Sequence, residues 1–320
     1  MPEPLNLDEF EAVARETLPT MTYDFIAGGA EDERTVAGNR AAFARRVLRN
    51  RALVDVETRD LRTRLLGLEL PHPILLAPTA LHRLAHPDGE AATARGAAAA
   101  GALYTVSTAT STPLEEIRRA APHGPRWFQL YHLGDRAATE ELIRLAVATG
   151  HRAIVLTVDV PLLGRRERDL RNVFTLPPGI GMVHVHEPAW SPSGEDPARA
   201  WASPIASRML TWDDLTWIRA AGGGVPLLLK GVVRGDDAEH ALNVGRVRRC
   251  RAGSKLAALL SGEIWDGICP AVCRISHGRG PNESIGNCPN VATMILPRIA
   301  SSPAFRVPCT HRLPIRSFNR

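Results

Sequence analysis

Residues 153–172 read AIVLTVDVPLLGRRERDLRN, and this stretch decides the fold. An apolar run, Ala153 to Leu156, passes directly into Thr157, Asp159, Arg165 and Arg166. A buried strand that ends in hydroxyl, carboxylate and guanidinium groups is how an α/β barrel presents reactive side chains at the C-terminal mouth of its sheet.

Working outward, the same rhythm repeats on both sides. Pro73–Ala80 (PILLAPTA), Ala102–Thr108 (ALYTVST), Trp127–His132 (WFQLYH) and Pro226–Val232 (PLLLKGV) read as further buried strands. Gly89–Ala100, Pro113–Ala121, Ala137–Thr149, Leu210–Ala221 and Asp236–Val244 read as helices, and Leu7–Leu18 as an amphipathic helix with Phe10, Val13, Ala14 and Leu18 on one face. A Pro/Gly-rich loop, about 177–204, interrupts the pattern. Strands alternating with helices make parallel βαβ units. About five are visible, where a closed barrel has eight. A doubly wound open sheet fits the rhythm too, but the turn after the first strand reads LHRLAHPDG and carries no GxGxxG. The expected fold class is α/β, a TIM-type (β/α)8 barrel that is incomplete over residues 1–245 and followed by an unrelated tail over 246–320.

Composition narrows the field. A chain of 320 residues is long enough to bury a substantial core. No apolar run approaches the roughly 20 residues of a membrane span. The N-terminus, MPEPLNLDEFEAV, has no basic region followed by an apolar core, so a cytoplasmic location is expected. The net charge is +5, yet only Lys230 and Lys255 among the 39 basic residues are lysine. That is a compositional habit rather than a basic stripe interleaved with aromatics, and no nucleic-acid partner is expected. All five cysteines lie from Cys250 onward. Cys269 and Cys273 with His277 form a candidate metal cluster, but no second ligand pair follows at a usual spacing, so no metal is expected. After Gly245 the strand–helix rhythm stops as well, and residues 246–320 read as disordered. A frame change or recombination near codon 245 would produce both shifts together.

Four strand ends carry a further signal: Pro78-Thr79-Ala80, Gln129-Leu130-Tyr131, Thr157-Val158-Asp159 with the following Arg165-Arg166, and Leu229-Lys230-Gly231. With Tyr23–Glu33 (YDFIAGGAEDE), they resemble the FMN-dependent 2-hydroxy acid oxidases and dehydrogenases, which oxidise glycolate, lactate or mandelate. Other flavin barrels, of the nitronate or inosinate type, share the rhythm but not TVDVPLLGRRERD. The resemblance covers about residues 7–245 and implies roles residue by residue. Pro78, Thr79, Ala80, Ser107, Gln129 and Thr157 would contact the flavin ring. Lys230 would place its charge at the ring edge where reduction builds negative charge. Tyr131 would bind or polarise the substrate, and Arg166 would fork onto its carboxylate. Asp159 would pair with the catalytic His. Each residue also has a plain reading as a strand-end polar group, and Arg165 and Arg168 read equally well as a solvated basic loop.

Two departures from the family matter. The substrate-binding Tyr of the N-terminal signature falls at Phe25, and Ala109 stands where glycolate-type members carry a bulky aromatic. Both changes lean toward an aryl or bulky hydroxy acid. The larger departure is the missing Ser-Asn-His-Gly-Gly-Arg segment, which supplies the catalytic His, together with the family's phosphate-binding turns. Ser276-His277-Gly278-Arg279 lacks the Asn, the spacing and a preceding strand. The expectation is a chain of oxidase ancestry, taking FMN and a small 2-hydroxy acid, with doubtful activity. The alternative is a non-catalytic flavin-binding remnant or interaction module. The intact family is commonly homo-oligomeric.

Overall fold

The structure, a computed structural model, describes residues 3–161, 163–185 and 210–244. The expected tail, 246–320, lies outside the described residues, as do Cys269, Cys273 and His277. Three helices open the chain: α1 (Leu7–Thr17), α2 (Thr20–Ala27) and α3 (Arg34–Ala44). Asn6 starts α1 by accepting the Glu9 N–H at 3.0 Å, with Asp8 and Glu9 in the favourable first turn. An antiparallel hairpin follows, β1 (Thr63–Leu65) and β2 (Leu68–Leu70). Its turn places Leu66 and Gly67 at φ +48° and +76°, the backbone a two-residue hairpin loop needs.

The remaining elements alternate: β3 (Leu75–Leu76), α4 (Gly89–Ala99), β4 (Leu103–Ser107), α5 (Leu114–Ala120), β5 (Arg126–Leu130), α6 (Arg136–Ala148), β6 (Ile154–Thr157), α7 (Glu167–Arg171), α8 (Asp214–Ala221), β7 (Leu227–Lys230) and α9 (Gly235–Val244). The five strands β3 to β7 lie side by side in chain order, all parallel. Among the described residues they form an open arc of a barrel, not a closed one. The first strand is much shorter than the eight-residue run PILLAPTA. Pro73 and Pro78 have no N–H to give to a ladder, which confines pairing to the residues between them.

Two apolar layers sandwich the arc. On the outer face Tyr104, Val106, Phe128, Leu130, Ile154, Leu156, Leu227 and Leu229 pack against the helices. The alanines of α4, Ala94 and Ala97, let that helix approach closely. On the inner face Leu103, Trp127, Ala153, Val155 and Leu228 fill the bottom, where Leu65 and Leu70 of the hairpin plug it. The period of two along each strand thus sends one set of side chains to the helices and the other into the barrel. No helix among the described residues is long and apolar enough to cross a membrane.

One buried titratable group sets an acid limit on this core. His151 is 2% exposed and meets Phe128 edge-on at 5.6 Å. Its Nδ1–H donates to the Ala146 carbonyl at 2.9 Å, and Nε2 is buried without a partner among the described residues. Burial, with the Arg126 charge nearby, pushes its pKa from 6.5 down to about 4. The unfolded chain therefore binds a proton that the folded chain refuses, and stability falls as pH drops from 6.5 toward 4, by on the order of 3 kcal/mol across that window. Acid titration of the denaturation midpoint should show this loss in the wild type and a smaller one in His151→Phe. An identical acid limb in both would contradict the assignment.

Candidate active site

The inner face changes character at the C-terminal mouth. Strand pairing sets Ser107 beside Gln129 and Thr157 beside Lys230. Ser107 Oγ donates to Gln129 Oε1 at 3.0 Å, and Gln129 Nε2 donates to Thr157 Oγ1 at 2.9 Å. Thr108, the residue after β4, donates to the Gln129 carbonyl at 2.8 Å and accepts the Tyr131 N–H at 2.9 Å. Ser107, Gln129 and Thr157 are all nearly fully buried. The ring is wired together, yet Gln129 has a second amide hydrogen left to give.

Lys230 and Asp159 form the adjoining pair. Lys230 Nζ lies 3.4 Å from Asp159 Oδ2, while Oδ1 is buried with no partner among the described residues. An unpaired buried carboxylate oxygen is expensive, and it marks a place for a donor. Gly231 makes the approach possible. It sits at φ +107°, and a Cβ there would lie 2.3 Å from Asp159 Cβ. Tyr131, beside them, has its phenol pushed up to about 12 by burial and by the Asp159 charge. It therefore stays protonated at neutral pH.

Pro78, Thr79 and Ala80 follow β3 at one edge of the arc. Thr79 is exposed, and Ala80 packs with Leu81, Phe25 and Phe174. Leu81 N–H ties this loop to the Ala109 carbonyl at 2.9 Å.

Arg166 is held away from the ring. Its Nε donates to Asp169 and its Nη2 to the Phe25 carbonyl, both at 2.5 Å. Its guanidinium lies over the Phe25 ring, 5.3 Å from the centroid, and Phe25 stacks on Phe174 at 4.7 Å. Asp169, one helical turn on from Arg166, is 1% exposed. No contact among the described residues joins Arg166 to Ser107, Gln129, Thr157 or Lys230. Nη1 is the guanidinium nitrogen that these two anchors do not use. Arg168 and Asn172 brace the same region by binding Asp24, at 3.3 and 2.7 Å.

The sequence reading assigned no role to Thr108, Asp169, Phe174 or Gly231, although Gly231 stands in the quoted Leu229-Lys230-Gly231 strand end. The signal for Asp169 was its i+3 spacing from Arg166. Among the described residues there is no cluster of His, Cys, Asp and Glu suited to a metal.

An arc of parallel strands with helices outside and a polar ring at the C-terminal mouth is the arrangement of an α/β-barrel site. Residues 14–247 match the model of the FMN-dependent dehydrogenase family, and the chain belongs to that family. It is 41% identical over 243 residues to glycolate oxidase of Spinacia oleracea, covering 75% of this chain and 65% of that one. It is 42% identical over 248 residues to glycolate oxidase 1 of Zea mays, covering 77% and 67%. Among solved structures it resembles mandelate oxidase with benzoyl-formic acid, at TM-score 0.66 and 36% identity over 76% of this chain and 66% of that one. It also resembles a lactate oxidase of Pediococcus acidilactici, at TM-score 0.68 and 33% identity over 79% and 68%. The chain spans about two thirds of the length of these relatives.

Proposed function

We propose that residues 1–245 carry the flavin-ring and substrate half of a 2-hydroxy acid oxidase site, with FMN as cofactor and a small 2-hydroxy acid as ligand. The observation that carries this reading is the ring of Ser107, Gln129, Thr157 and Lys230 at the mouth, with the unpartnered Asp159 oxygen beside it. The donor set suits a flat heterocycle rich in carbonyl and ring-nitrogen acceptors. Gln129 offers an amide hydrogen, and Lys230 offers a point charge that is 28% exposed. Pro78, Thr79 and Ala80 would border the ring from the neighbouring loop. When bound, FMN supplies the two-electron acceptor for oxidation of a hydroxy acid to a 2-oxo acid.

The chain's own groups divide the remaining work. Tyr131 donates a hydrogen bond to substrate, and Arg166 neutralises the substrate carboxylate through Nη1. Asp159 would orient and stabilise a protonated imidazole were one placed against Oδ1. The 320 residues contain no Ser-Asn-His-Gly-Gly-Arg run. Protonated Tyr131 cannot serve as the base. We therefore read this chain as binding flavin and hydroxy acid with little or no turnover, close to a flavin-binding remnant.

The apolar group of Phe25, Phe174, Leu81, Met182 and Ala80 beside Arg166, with Ala109 in place of a large aromatic, favours an aryl acid over glycolate. In the FMN-loaded chain, (S)-mandelate should perturb the visible flavin spectrum at lower concentration than glycolate, and neither should bleach it rapidly under anaerobic conditions. Tighter glycolate binding would overturn the aryl preference, and rapid bleaching would overturn the inactivity.

A further inference from the structure

We propose that Glu90 is a positioning residue that ties the loop after β3 to the loop after β4, and thereby sets the spacing between the two groups of candidate flavin contacts. The inference rests on the flavin reading above and deepens it.

Glu90 lies in the first turn of α4, 0% exposed, bonded to the residues that follow Pro78-Thr79-Ala80 on one side and Ser107 on the other. Its carboxylate accepts four hydrogen bonds. Oε1 takes the His82 N–H at 3.0 Å and the Ser111 N–H at 2.9 Å. Oε2 takes the Ser111 hydroxyl at 2.8 Å and the Thr112 hydroxyl at 2.7 Å. His82 follows the β3 loop, and Ser111 and Thr112 follow the β4 loop. One side chain therefore holds both.

No lysine or arginine forms an ion pair with this buried anion among the described residues. Its charge rests on donors alone, with the α4 N-terminus behind it. These bonds outweigh burial and hold its pKa below the usual 4.5. A group so costly to bury is hard to explain by core packing, because an apolar residue of similar size would fill the space at lower cost.

What the clamp restrains is a strained turn. Leu81 is buried and stands at φ +54°, a left-handed conformation that costs a bulky residue about 1–2 kcal/mol. Its own N–H is fixed to the Ala109 carbonyl, and the next peptide is fixed to Glu90. Arg83 N–H donates to Ser111 Oγ at 3.0 Å and adds a second cross-tie. Gly89 lets the helix start this close: at φ +49°, a Cβ would sit 2.9 Å from the Thr112 hydroxyl. The turn begins one residue after Ala80, so any relaxation there moves the Pro78-Thr79-Ala80 backbone relative to Ser107 and Gln129.

The test uses the full chain and the isosteric E90Q. An amide in place of the carboxylate puts an NH2 where two donors already point. Amide hydrogen exchange at His82 and Ser111 should accelerate at least tenfold, with Phe128 and Ile154 on β5 and β6 unchanged. The FMN dissociation constant, read by fluorescence quenching, should rise at least tenfold, and the visible spectrum of bound flavin should shift. Thr112→Val removes one of the four donors and should move the same readouts in the same direction by less, which keeps the inference testable if E90Q folds poorly. Unchanged exchange at His82 and Ser111 overturns the inference. So does faster exchange with unaltered FMN affinity and spectrum, since that describes a structural residue only. In both cases the wild type still binds FMN. A wild type that takes up no FMN overturns the flavin reading itself, and the inference with it.

Discussion

Gly231→Ala should unfold the chain or displace Asp159 from its place beside Lys230. The added Cβ would lie 2.3 Å from Asp159 Cβ, 2.5 Å from Cγ and 2.9 Å from the Asp159 backbone nitrogen. Two of these atoms, the backbone nitrogen and Cβ, are fixed by the main chain two residues beyond β6, so no side-chain rotation relieves the clash. Gly231 also stands at φ +107°, where an L side chain is strained whatever the space. Overpacking and backbone strain each cost about 1–3 kcal/mol, a sum that reaches the lower end of the roughly 5–15 kcal/mol by which ordinary domains are stable. Urea denaturation should show a loss of roughly 3–5 kcal/mol or no cooperative transition. FMN affinity of any folded fraction should fall as well. A variant within about 0.5 kcal/mol of wild type would mean that the Asp159–Gly231 contact is not as described.

The second large effect is expected at Gln129→Leu. Gln129 is 2% exposed and joins three strands at one level. Leucine fills the volume but deletes the acceptor for the Ser107 hydroxyl and the donor to Thr157. Both hydroxyls are buried, and each buried group left unsatisfied costs about 1–3 kcal/mol. The Thr108 backbone keeps its bond to the Gln129 carbonyl, so strand pairing survives. The expected result is a folded protein destabilised by roughly 2–5 kcal/mol with FMN binding lost. Unaltered FMN binding in this variant would remove Gln129 from the site.

Much of this was legible from residue order. The alternation around Ala102–Thr108, Trp127–His132 and Ala153–Val160 located β4, β5 and β6, because a buried strand between amphipathic helices leaves few other readings. The strand ends supplied Ser107, Gln129, Tyr131, Thr157, Asp159 and Lys230, which the structure gathers at one mouth. Three features were not legible. The β1–β2 hairpin has strands of three residues, too short for an alternation to stand out, and its Leu66-Gly67 turn is not one of the Asn-Gly or Asp-Gly pairs that mark a hairpin. The anchoring of Arg166 to the Phe25 carbonyl depends on a contact between residues far apart in the chain. Glu90 stands where first-turn acids are common, and nothing in its neighbourhood names Ser111 and Thr112 as partners.

The central claim is that the strand-end ring holds FMN. Titrating the full chain with FMN while following its fluorescence and visible spectrum tests this most directly. The expected result is saturable binding near one flavin per chain, with a perturbed spectrum and tenfold or greater weakening in Gln129→Leu. A folded wild-type chain that leaves FMN fluorescence and absorbance unchanged would contradict the claim.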